Sequence, residues 1–209
     1  MVAEQKSNST ATAVLLAAGS GSRFLGSQHK LLTQILGQSV FAWSVKHLAE
    51  ARFRNIIIVT GAVDLSSQIS GAQISDAQIS GANLIVAHNK NWQSGMASSL
   101  QCGLAEAQRL GADAVVIGLA DQPAIVGQSW QRVARSTAPL AVATYSGVRG
   151  NPVRVHAELW PLLPTSGDEG ARSLFKSHKD LLEEVACDGS SHDLDTNEDI
   201  INLTKLLSQ

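Results

Sequence analysis

The residues best placed to do chemistry lie between Val14 and Leu32, VLLAAGSGSRFLGSQHKLL. An apolar run opens into a Gly/Ser-rich loop, then Arg23, then Lys30 seven positions on. A buried strand followed by small residues and two cations is a way of holding phosphate. The glycines let the backbone come close, loop N–H groups bind anionic oxygens, and Arg and Lys supply charge. A plain strand-to-helix turn that needs small residues is the alternative. A Walker loop is excluded, because no Gly, four residues, then Gly-Lys-Ser/Thr occurs. The dinucleotide fingerprint fits poorly. Gly19 and Gly21 match its first two glycines, but Phe24 stands at the third and no acid follows about 20 residues on.

Two acidic stretches accompany the cations. In GLADQP (Gly118 to Pro123) an apolar run ends just before Asp121. A carboxylate at that edge of a sheet can hold a Mg²⁺ that bridges nucleotide phosphates, or it can cap the next helix. In HDLDTNED (His192 to Asp199), Asp195 or Thr196 suits a helix N-cap, and Glu198 and Asp199 suit its first turn. The sharper reading makes Asp193 or Asp195 a second Mg²⁺ ligand. His29, His88 and His156 form no ligand pattern and are read as structural or surface residues.

The elements that must position these groups alternate between strand and helix. Strands are expected at Ala13–Leu16, Asn55–Thr60, Asn83–Ala87, Ala114–Leu119 and Pro139–Thr144. Helices are expected at Val40–Ala51, Met96–Leu110 and Gln128–Arg135. The alternation predicts an α/β fold, a three-layer sandwich around a mostly parallel, Rossmann-like sheet. Ligands in such sheets bind beyond the carboxyl ends of the strands, where the Gly/Ser loop and Asp121 both fall. Ser66 to Leu84 interrupts the pattern with units of about five residues, beginning at Ala72, Ala77 and Ala82. So short a run cannot stack a solenoid, and it is expected to be an excursion, partly helical or flexible.

With 209 residues, 44% of them hydrophobic, and a net charge of -2, the chain is expected to be a single soluble domain over residues 12–209. The balance gives no reason to expect nucleic acid or a membrane as partner. Residues 1–11 are polar and small, unlike a signal peptide, and are expected to be a disordered leader. Cys102 and Cys187 have no metal-ligand spacing, which fits a reduced cytoplasmic setting.

Six motifs in order resemble the molybdenum-cofactor nucleotidyltransferases, nearest their molybdopterin cytidylyltransferase branch. They are LAAGSGSR with Lys30, NKNWQSGMASSL (Asn89 to Leu100), GLADQP, RGNPV (Arg149 to Val153), SGDEGAR (Ser166 to Arg172) and DLDTNED. The resemblance covers about residues 12 to 205 and implies a fold of the nucleotide-diphospho-sugar transferase type. It implies nucleotide contacts at Leu16, Ala17, Ala18, Gly19, Ser20, Gly21, Gly95, Met96 and Ser98, with Arg23 and Lys30 on the triphosphate. It implies Mg²⁺ on Asp121 with Asp193 or Asp195, and an acceptor side at Asn151, Pro152, Asp168 and Glu169. The LAAG form implies CTP rather than GTP. The implied reaction transfers CMP to the terminal phosphate of molybdopterin, with a molybdenum hydroxylase or its maturation chaperone as protein partner. Another phosphorylated acceptor (sugar, polyol or phospho-acid), use of GTP, and a non-catalytic nucleotide-binding cofactor carrier are the other readings.

The chain departs from the family pattern in three places. The Arg23 to Lys30 spacing is slightly long, as if Phe24-Leu25-Gly26 held one inserted residue. Asn151 stands where the family usually has His, and the repeats from Ser66 replace its usual helix. Trp92 reads as a core or rim aromatic, or as a base-stacking group. Met96 could simply pack, and Asp168 and Glu169 could serve only to charge a helix N-terminus.

Overall fold

In the computed structural model the described residues are 11–26, 28–70 and 81–208. Six-residue strands with unbroken apolar interiors build the centre, because a strand buried on both faces needs no polar alternation. The strands are β1 (Thr12–Ala17), β2 (Gln34–Ile35), β3 (Gln38–Ser39), β4 (Asn55–Thr60), β5 (Asn83–His88), β6 (Ala114–Leu119), β7 (Leu140–Tyr145), β8 (Val148–His156) and β9 (Leu182–Ala186). The helices are α1 (Val40–Glu50), α2 (Ser66–Ser70), α3 (Met96–Arg109), α4 (Gly127–Ala134), α5 (Leu174–Ser177) and α6 (Asn197–Leu207). Seven strands form one sheet in the order β5-β4-β1-β6-β8-β7-β9, and β2 and β3 form a separate hairpin. Every pairing in the large sheet is parallel except the two made by β8.

Alternate residues of β1 divide between two apolar layers. Ala13, Leu15 and Ala17 pack with Phe41 and Leu48 of α1, Trp130 of α4 and Leu203 of α6. Val14 and Leu16 pack with Leu100 and Leu104 of α3 and Phe175 of α5. Two close approaches set these distances. A Cβ on Gly118 would lie 2.4 Å from the Trp130 ring, and one on Gly103 would lie 2.6 Å from Val14.

The three-layer α/β expectation holds, and the expected strands and helices fall within a residue or two of the observed ones. The short β2–β3 hairpin was not expected, nor were two strands of the large sheet. β8 contains Pro152, which interrupts the apolar pattern and has no N–H for a ladder. The fold accommodates it where β7 and β8 slip register between Val142 and Ala143, beyond the Val153–His156 stretch that pairs with β6. β9 is a half-exposed edge strand whose sequence LEEVA carries little apolar signal. Of the Ser66–Leu84 repeats, Ser66–Ser70 is helical and Asn83–Leu84 begins β5, while residues 71–80 lie outside those described. Residues 1–10 of the expected leader also lie outside, and Ala11 is buried against the first apolar layer.

Candidate active site

β1 and β6 are parallel neighbours with Leu16 opposite Leu119, so the loops that follow them emerge side by side at one sheet edge. The first loop folds back over Lys30. Gly21 has φ +63, and a Cβ there would lie 3.1 Å from Lys30 Cγ, so a side chain would be strained and crowded. The Phe24 N–H donates to the Gly21 carbonyl at 2.9 Å, and its ring is buried in the first layer. His29 Nδ1 accepts from the Leu31 N–H at 3.2 Å, which leaves Nε2–H to donate to the Gly19 carbonyl at 3.0 Å. Burial first, and then the Lys30 charge, lower the His29 pKa and keep this tautomer neutral.

Lys30 is the hub. Its Nζ lies 2.5 Å from Asp121 Oδ2 and 2.9 Å from Asp195 Oδ1, with the side chain only 10% exposed. Burial alone would lower its pKa; the two carboxylates reverse that and hold it above the usual lysine value. Arg23 lies 3.7 Å from Asp195 but is 81% exposed. A pair so exposed contributes about 0–1 kcal/mol, so Arg23 costs little to redirect. Asp121 caps no helix, since α4 begins at Gly127 with Val126 as its N-cap.

The acidic C-terminal stretch docks onto the same loop. The Leu194 N–H donates to the Asp121 carbonyl at 2.9 Å and its side chain is fully buried. Gln122 Nε2 donates to Asp193 Oδ1 at 2.6 Å. Burial, with the charges of Asp121 and Asp195, raises the Asp193 pKa against the opposing Gln122 bond and Lys30 charge. Thr196 is the N-cap of α6 and forms a capping box with Asp199, which also accepts from His192 Nε2 at 2.7 Å.

The opposite wall is the N-terminus of α3. Gly95 has φ +96, and a Cβ there would lie 2.4 Å from the Gly167 carbonyl oxygen. That carbonyl accepts from the Ala97 N–H at 2.9 Å, and Asp168 Oδ1 accepts from the Met96 N–H at 3.4 Å. The 166–170 turn is thereby pressed onto the helix start.

Between the walls lies a cleft of about 700 Å³. Of the residues expected from the sequence, Leu16, Ala17, Ala18, Gly19, Ser20, Gly21, Arg23, Lys30, Gly95, Met96, Asp121 and Asp168 line it. Ser98 does not; its hydroxyl donates to the Asn91 and Gly95 carbonyls and holds that wall together. Asn151 and Pro152 are buried away from the lining, and Glu169 is exposed. Asp193 and Asp195 are beside the cleft through Gln122 and Lys30 rather than in its lining. Ser22, Leu31, Trp92, Gln93, Ser99 and Leu119 line it without having been singled out as site residues. Each sits beside an expected residue or within a quoted motif. Trp92 packs on the second apolar layer, as a core or rim aromatic does, and also lines the cleft.

The donor set suits Mg²⁺. Carboxylate oxygens are hard ligands, and Mg²⁺ is commonly held by one or two of them together with substrate phosphates. Asp121 and Asp195 already converge on one cation, the Lys30 ammonium. Three carboxylates against two cations leave the cluster net negative, so an incoming triphosphate needs more positive charge than Lys30 and Arg23 provide. Among the described residues no group of three or more His, Cys, Asp or Glu side chains forms a metal cage.

A family model described as the MobA-like NTP transferase domain matches residues 13–181. The purine catabolism protein PucB of Bacillus subtilis is 29% identical over 201 residues, covering 93% of this chain and 96% of that one. A nucleotidyl transferase from Methanothermobacter thermautotrophicus has a TM-score of 0.73 at 22% identity, covering 94% of this chain and 97% of that one. Rv0371C of Mycobacterium tuberculosis H37Rv, in a structure described as a complex with manganese, has a TM-score of 0.71 at 24% identity, covering 93% and 97%. At these identities the two structures speak to the fold alone.

Proposed function

This chain belongs to the MobA-like NTP transferase family, and we propose that it transfers CMP from CTP to the terminal phosphate of molybdopterin, releasing pyrophosphate. The observation that carries the proposal is Lys30, buried beneath the Gly/Ser loop and facing the cleft between Asp121 and Asp195. The Leu16-Ala17-Ala18-Gly19 lining supports CTP as the nucleotide. Molybdopterin is supported by the ordered motifs of the family. The name of the Bacillus relative, a purine catabolism protein, fits a product destined for a hydroxylase acting on purines. Such a hydroxylase, or the chaperone that matures it, is the proposed protein partner, in the cytoplasm.

The chemistry is an in-line displacement. An oxygen of the acceptor phosphate forms a bond to the α-phosphorus of CTP. The bond from that phosphorus to the bridging oxygen breaks, and its electron pair leaves with pyrophosphate. The nucleophile is already ionised at neutral pH, so no strong base is required. Lys30 and Arg23 balance charge on the departing phosphates, and the loop N–H groups orient them. Mg²⁺ held by Asp121 with Asp193 or Asp195 would supply charge stabilisation at the phosphate oxygens. Asp168 lines the opposite wall, which supports its role on the acceptor side.

Pyrophosphate release, measured with Mg²⁺, purified molybdopterin and each of CTP, GTP, ATP and UTP in turn, tests the proposal. Release with CTP alone is expected. Release with GTP alone would keep the chemistry and overturn the base. Binding of nucleotide with no release on any phosphorylated acceptor would favour the carrier reading.

A further inference from the structure

Behind the acids runs a chain of polar groups that the displacement does not touch. The Tyr145 hydroxyl donates to the Asn151 carbonyl at 2.7 Å. Asn151 Nδ2 donates to Gln122 Oε1 at 2.8 Å. Gln122 Nε2 in turn donates to Asp193 Oδ1 at 2.6 Å and to the Ser191 carbonyl at 3.0 Å. Gln122 is 2% exposed and Asn151 9%, so neither can exchange these partners for water. The direction of the chain is fixed at the acid end. A carboxylate and a carbonyl only accept, so Gln122 must turn its amide nitrogen toward them. Its oxygen then faces residue 151, which must donate. The segment is pressed close as well, since a Cβ on Gly150 would lie 2.2 Å from Ser191 Oγ.

We propose that Asn151 and Gln122 are positioning residues for the metal-binding acids. Their one-way hydrogen-bond chain holds Ser191–Asp195 in register with Asp121 and so sets the affinity of the site for its divalent cation. The proposal rests on the nucleotidyl-transfer reading above. Asn151, buried behind the site, thus acts through Gln122 and not by touching the acceptor.

Asn151→Asp is nearly isosteric and reverses the chain. While ionised, residue 151 then only accepts, Gln122 turns its nitrogen toward it, and its oxygen is left against Asp193 and the Ser191 carbonyl. Mn²⁺ binding to the CTP-loaded protein, read from the EPR signal of free Mn²⁺, is expected to weaken at least about tenfold, as outer partners of metal ligands commonly cost. The Mg²⁺ concentration for half-maximal pyrophosphate release should rise equally, and saturating Mg²⁺ should return kcat to within about threefold. A structural defect would not be rescued by metal. Gln122→Met, which keeps the volume and removes the donor, should behave alike if Asn151→Asp fails to fold. Unchanged Mn²⁺ affinity in a folded variant, or a loss of turnover that metal does not restore, would overturn the proposal. A wild-type protein that neither binds Mn²⁺ with CTP nor releases pyrophosphate would overturn the underlying reading too.

Discussion

Lys30 bridges Asp121 and Asp195 in the fold, and in the proposed reaction it also meets the triphosphate. Exchanging Lys30 for Met removes the ammonium shared by Asp121 and Asp195. In a preorganised site such a loss costs about 10²–10³-fold in rate, and kcat/KM for CTP should fall by that much. Asp121→Asn keeps an oxygen for Lys30 and removes the charge a metal needs. Turnover should fall at least about 100-fold while circular dichroism still shows a cooperative melt; near-normal turnover would remove Asp121 from the metal site. Lys30 is legible in the sequence as a candidate because it follows a Gly/Ser loop at the end of an apolar run. The Asp121 ambiguity between cap and ligand could not be resolved from spacing. Tertiary structure excludes the cap, because α4 starts six residues later; the ligand role is the proposed one.

At the scale of elements, the C-terminal helix tests how the acids are held. Burial would raise the Asp199 pKa, but the His192 bond and then the bonds from Asp195 and the Thr196 cap lower it to about 2. A depressed carboxylate pKa adds stability above its unfolded value of about 3.9, and that stability is lost as pH falls toward 2. Asp199→Asn should therefore cost about 1 kcal/mol at pH 7, a typical cap value, and the difference should shrink between pH 4 and pH 2 in denaturant titrations. Gly95→Ala would force the 166–170 turn off the start of α3 and should weaken CTP binding at least about tenfold by calorimetry. The strands that build the floor, β1, β4 and β6, are legible because each is a short unbroken apolar run. β8 is not, because Arg149–Val153 reads as a motif rather than a strand and Pro152 breaks the pattern. Its place follows from a register slip that only the assembled sheet reveals. The same strand hides the role of Asn151, whose partners come from residues 29 positions earlier and six positions earlier in the chain.

For the molecule as a whole, two loops from neighbouring strands and one helix start make a single cleft, so its ligands should stabilise the entire fold. Among the described residues no helix is long and apolar enough to cross a membrane. CTP with Mg²⁺ at about 100 times its Kd should add about 2.7 kcal/mol, raising Tm by roughly 2–4 °C per kcal/mol for a chain of this size. CTP without a divalent ion should raise it far less, because the acid cluster outweighs the two cations. The central claim, transfer of the nucleotidyl group itself, is tested most directly by the fate of isotope. Two samples of CTP, one labelled at the α-phosphorus and one at the γ-phosphorus, would be incubated with molybdopterin and Mg²⁺. The account predicts α label in the dinucleotide product and γ label only in pyrophosphate. γ label on the acceptor, or no transfer of α label under any condition in which CTP binds, would contradict it.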